Sequence, residues 1–154
     1  MNPLNLKTHR RILATFLLAA CTGRPPLVHT YSHVDADGWS RNDTISFDLP
    51  PTQADQDCQL NVGFRLTNRY PYTSLWIVVD EQWDGRSVHT DTIEYLFIDS
   101  MGDFTGRGVN IYQYEKPIRR LTLHAGAKGR IRLFHIMSRE NIPDITDVGV
   151  RVTE

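Results

Sequence analysis

From residue 43 onward the chain repeats apolar and polar positions with a period of two. Ile45, Phe47 and Leu49 alternate with Thr44, Ser46 and Asp48 until Pro50-Pro51 stops the run. Cys58, Leu60, Val62, Phe64 and Leu66 alternate with Gln59, Asn61, Gly63, Arg65 and Thr67. A strand points successive side chains to opposite faces, so each run reads as a half-buried strand. Leu75 to Val79 is continuously apolar and is expected to be a central strand covered on both faces, with Trp76 in the core. Residues 88–98, 109–114, 118–123, 131–137 and 148–152 supply further β-branched and aromatic runs. Roughly eight strands joined by turn-rich loops predict an all-β fold, an antiparallel two-sheet β-sandwich of Ig-like or jelly-roll type.

The first segment breaks this pattern. Lys7, Arg10 and Arg11 precede a nine-residue run from Ile12 to Ala20, the layout of a secretory signal peptide. At about 1.5 Å per residue such a run is too short to cross a hydrocarbon core of about 30 Å. It ends Leu18-Ala19-Ala20-Cys21, which resembles the lipobox of a bacterial lipoprotein. That resemblance implies a diacylglyceryl thioether on the Cys21 sulfur, cleavage before Cys21 and acylation of its new amine. One acyl chain holds a protein marginally, whereas two or more hold it stably. The expected organisation is a cleaved signal peptide over 1–20, a lipidated cysteine and tether over 21–42, and the sandwich over 43–154.

Composition narrows the remaining options. The chain is 40% hydrophobic and 23% charged with a net charge of −1, so it is globular and lacks the basic footprint of a nucleic-acid binder. Loss of the leader leaves 134 residues with net charge −4, because three basic side chains go with it. With Cys21 lipidated, Cys58 is left without a partner in its own chain, so stability must come from core burial.

Candidate chemistry is sparse. His29 and His33 have a spacing that ligates metal only on a helix, and His135 shares a face with Ile131 and Leu133 as a core or edge histidine. The Asp99 to Gly108 loop carries carboxylates and glycines, but it lacks EF-hand spacing and Arg107 opposes a cation. A glycine-made turn is the expected reading, and no metal and no cofactor are expected. No G-x-S-x-G elbow or phosphate loop occurs. A hydrolase would need two facing carboxylates in a cleft. Trp83, beside Asp80, Glu81 and Asp84, is the candidate for an exposed sugar-stacking ring, which keeps a glycan-binding module as the alternative function.

The body also resembles the GldH family of gliding motility lipoproteins of the Bacteroidetes. The resemblance is carried by Tyr31 and Trp39, by Asp43 to Phe47, by Asn68 to Leu75, by Asp91 to Tyr95 and by the glycine loop Gly102 to Gly108. It continues through His135-Ile136-Met137 and Ile142 to Val150. Two departures stand out: Ser138 separates Met137 from Arg139, and Asp144 stands where the family usually has glycine. The resemblance implies a non-enzymatic envelope lipoprotein linked to gliding motility and its secretion machinery, with no catalytic residues. Partners would be the membrane, through the lipid, and an envelope protein. Thr22-Gly23-Arg24-Pro25-Pro26 lacks an acidic surface-export signal, which favours the periplasmic face of the outer membrane.

Overall fold

The computed structural model describes residues 24–154, and the signal-peptide, lipobox and Cys21 readings lie outside these residues. Eleven strands make up the described chain. They are β1 (Val28–His33), β2 (Trp39–Ser40), β3 (Ile45–Leu49), β4 (Gln56–Thr67), β5 (Ser74–Trp83) and β6 (Arg86–Leu96). The remainder are β7 (Arg107–Gly108), β8 (Ile111–Leu123), β9 (Gly129–His135), β10 (Asn141–Ile142) and β11 (Ile145–Thr153). A five-stranded sheet in the order β1-β11-β4-β8-β7 packs against a four-stranded sheet in the order β3-β9-β5-β6, and a small β10-β2 ribbon closes one end. All strand pairs within these sheets are antiparallel. The protein is a β-sandwich.

Alternation builds the core. Cys58, Leu60, Val62, Phe64 and Leu66 of β4 are buried, as are Val148, Val150 and Val152 of its neighbour β11. Leu75, Ile77 and Val79 of β5 and Ile131 and Leu133 of β9 close on them from the other sheet. Phe64 lies 4.8 Å from Tyr95 and 5.9 Å from Phe97, ring to ring. Two hydroxyls bridge outward from this aromatic cluster: Tyr95 donates to Val62 O and Tyr114 to Phe97 O, both at 2.8 Å. These bonds let large polar-tipped rings be buried without an unmet donor.

The structure corrects three expectations. The tether does not extend to residue 42, because β1 pairs with β11 along its whole length from Val28↔Val152 to His33↔Asp147 and Trp39 is a core residue. The sandwich therefore begins near Leu27, whose N–H already donates to Val152 O. Secondly, 109–114 and 118–123 form one strand, β8. Pro117 pairs with Asn61 and Arg119 with Leu60, so β8 carries a one-residue bulge at Ile118 beside the proline and continues as one strand. Finally, β5 is not covered along the whole of both faces: on its outer face Val78 and Asp80 are buried by neighbouring side chains, but Trp76 is not. Its alternate residue Trp76 points outward and is 41% exposed, so the apolar run marks one buried face and one apolar outer face.

Candidate functional site

The sandwich has two distinct poles. Leu27, the C-terminal Thr153 and Glu154, the β5–β6 turn at Asp84-Gly85 and the β8–β9 turn share one pole, as the registers of both sheets require. Trp83 and His124 meet there at 5.9 Å, and Arg24 is ion-paired with Glu154. The described chain therefore begins, at Arg24, at this pole. The β2–β10 ribbon, with Trp39 6.2 Å from Phe64, and the start of β5 lie at the other.

Trp83 is not the exposed platform its acidic neighbours suggested. It is half-buried and packed on the core. Its indole N–H donates to Glu81 Oε1 at 2.7 Å, and a Cβ at Gly129 would lie 2.7 Å from its ring. Of the acids around it, Glu81 alone turns inward to the ring, while Asp80 faces the other side of β5 and Asp84 lies exposed in the turn. Glu81 is buried and pairs with Arg119 of the opposite sheet, and Arg119 also lies 4.0 Å from Asp91.

Asp80 is also buried but faces the opposite side of β5. There it accepts from Gln82 at 2.9 Å and Thr90 at 3.2 Å, and from Ser87, with Arg132 at 3.5 Å. Successive residues on a strand cannot face one another across a cleft, so these two buried carboxylates are structural.

The other candidates resolve similarly. His29 and His33 sit four residues apart on a strand, about 13 Å at the usual rise, too far to share an ion. His135 is fully buried, with Nε2 3.0 Å from Trp39 O and its ring edge-on to Trp39. Burial lowers its pKa, the Trp39 carbonyl opposes this, and Arg41 adds to the lowering. In the glycine loop, Asp99 Oδ1 accepts from the N–H of Met101 and of Asp103 at 2.8 and 3.0 Å. That carboxylate closes a turn whose Gly102 has φ 91°. Among the described residues no group of three or more His, Cys, Asp or Glu comes together to hold a metal. Cys58 is fully buried, and burial raises its thiol pKa.

What sequence reasoning missed is an outer surface. Trp76, Ile136 and Leu96 are 41%, 46% and 64% exposed. They share the outer face of the four-stranded sheet with Val78 and Phe134, which are cross-strand partners. Ile136 N–H bonds to Trp76 O at 3.0 Å, placing those side chains side by side. The signal was present: the parity of Leu75, Ile77 and Val79 forces Trp76 outward once that set is taken as core. Beside this face, β6 is the outermost strand of its sheet.

On the outer face of the other sheet, Tyr31 lies across Gly149 and Gly63, where a Cβ would come within 2.5 Å of it. Arg65 covers the ring at 4.2 Å.

The chain is 24% identical over 150 residues to the gliding motility lipoprotein GldH of Flavobacterium johnsoniae, covering 93% of each. Among solved structures, it is similar to a family 35 carbohydrate binding module from Clostridium thermocellum. That likeness has a TM-score of 0.40 and 15% identity, over 78% of this chain and 86% of that one, and at that level nothing about ligands carries over. The family model described as GldH lipoprotein matches residues 27–152, the span that begins where β1 joins the sandwich, and the chain belongs to the GldH lipoprotein family.

Proposed function

We propose that this protein is a non-enzymatic, lipid-anchored component of the bacterial envelope that serves gliding motility and its associated secretion machinery by holding a partner near the membrane. The observation that carries the reading is the family match over 27–152 preceded by Leu18-Ala19-Ala20-Cys21. Only Thr22 to Leu27 separate Cys21 from β1. At about 3.5 Å per extended residue these six residues reach roughly 20 Å, so the lipid keeps its pole of the sandwich close to the bilayer. Confinement raises the effective concentration for any partner held in the same membrane. The outer membrane is the expected home. The absence of acidic residues in Thr22 to Pro26 favours its periplasmic face.

The test is intact mass of the protein extracted from membranes. Wild type is expected to lack residues 1 to 20 and to carry acyl mass on Cys21. Cys21→Ala is expected to lose both changes, to leave the membrane fraction and to abolish gliding. Retention of Met1, or an unacylated Cys21, overturns the anchoring. Normal gliding with a released protein overturns the role.

A further inference from the structure

The outer edge of β6 is unpaired among the described residues, and its backbone orientation is fixed by its neighbours. Ile136 N–H bonds to Trp76 O, so the even residues of β5 face β9 and the odd ones face β6. Their register partners Asp91, Ile93 and Tyr95 bond back to β5. Backbone groups alternate along a strand, so Thr90, Thr92, Glu94 and Leu96 direct N–H and C=O away from the sheet. Lys116 Nζ donates to Glu94 O at 3.3 Å across that edge, which agrees.

A bare row of donors and acceptors is hazardous, and folded proteins usually blunt it with short strands, Lys, Pro or bulges. The other sheet edges are blunted in these ways. β3 has five residues and is followed by Pro50-Pro51. β8 carries Lys116 and Pro117 beyond its contact with β7, and β1 is six residues long with histidines near both ends. From Thr90 to Leu96, β6 has no Pro, Lys or Gly, and its bulge lies below this stretch, opposite Glu81 and Gln82. A groove of about 670 Å³ runs directly beside it, lined by Ile93, Tyr95, Tyr114, Glu115 and Lys116 among others.

We propose that β6 between Thr90 and Leu96 is a strand-addition site that takes an extended segment of an envelope protein partner. Main-chain bonds to the free edge supply affinity, and the groove reads alternate side chains of the added strand. Ile93, half-buried, and the small accessible edges of Tyr95 and Tyr114 offer apolar contact to side chains of the added strand. Lys116 fits a carboxylate, exchanging its bond to the neutral Glu94 carbonyl for an ion pair. The proposal rests on the reading of this chain as an interaction protein and names the edge through which it acts.

Thr92→Pro deletes one outward N–H while leaving every bond to β5 intact, a placement proline tolerates. The full-length lipoprotein carries a photoreactive benzoylphenylalanine at position 96 in its own cells. A single adduct of discrete mass is expected, reduced about tenfold by Thr92→Pro and retained in Thr92→Ser, with unchanged thermal unfolding. Should Thr92→Pro unfold the protein, amide exchange on the wild-type adduct decides the matter. Slowed amides at Thr90, Thr92, Glu94 and Leu96, with unchanged odd-numbered neighbours, support strand addition.

No adduct, an adduct of twice the chain mass, an adduct indifferent to a folded Thr92→Pro, or uniform protection overturns the proposal. These outcomes leave acylation of Cys21 and gliding untouched, so the wider reading fails separately.

Discussion

Asp144 shows how one position can depart from its family and still obey the geometry. Its φ is 64°, the left-handed region where glycine is unstrained and Asp or Asn is the next best tolerated. Asp144 offsets the strain with Oδ1, which accepts from Thr67 Oγ1 at 2.6 Å and Arg69 Nε at 3.3 Å. Asp144→Gly exchanges those bonds for relief of strain and should change stability by less than about 1 kcal/mol. Asp144→Ala loses the bonds and keeps the strain, costing about 1–2 kcal/mol, both read from urea unfolding curves. The left-handed backbone was legible only through the glycine that the family resemblance places there.

His135 gives a pH dependence whose sign follows from its burial. Its folded pKa lies below the ordinary 6.5, so the native state resists a proton that the unfolded chain accepts. Its stabilising contribution is therefore complete above pH 6.5 and is lost progressively as pH falls from there toward the lower folded value. Wild-type Tm should drop more steeply between pH 7 and pH 5 than that of His135→Gln, with carboxylate contributions common to both. Parallel slopes would show that His135 does not titrate against folding. At this scale the tryptophans carry the clearest lesson. Sequence neighbours put Trp83 among acids and Trp76 among apolar residues, yet strand parity and a Glu81 acceptor reverse their exposure.

Among the strands, alternating ones such as β3 and β4 were legible because one face meets core and the other does not. β1 was not. Val28-His29-Thr30-Tyr31-Ser32-His33 lacks an apolar stripe, and it is held instead by its ladder to β11 and by Tyr31. The Tyr31 ring needs the bare backbone of Gly149 and Gly63 beneath it. Gly149→Ala should therefore push the ring off and loosen β1, costing about 1–3 kcal/mol. In the Tyr31→Ala background the same substitution should cost much less, so a double-mutant cycle in urea should show strong coupling. Additive costs would mean that β1 does not depend on this contact. The sequence pattern shows β8 as two runs, 109–114 and 118–123, because the polar stretch Glu115-Lys116-Pro117 interrupts the apolar positions. Only the bulge at Ile118, next to Pro117, shows how the ladder passes it.

At the scale of the molecule, the sandwich closes its core within the family-matched span, with Cys58 its one buried free thiol. Among the described residues the core is built between Leu27 and Val152, so the released Cys21→Ala protein of the membrane experiment should unfold at the wild-type temperature.

By itself the sequence determined the all-β class, the inward faces of its alternating strands and a lipobox-like address at Cys21. These are local properties, written in the period of the side chains and in short motifs. Tertiary structure alone decided that β1 belongs to the sheet, that Trp83 is half-buried while Trp76 is exposed, and that β6 has no neighbour on one side among the described residues. Those facts depend on which distant segments come to lie beside one another, and pairing between strands far apart in the chain leaves no mark in the spacing of either.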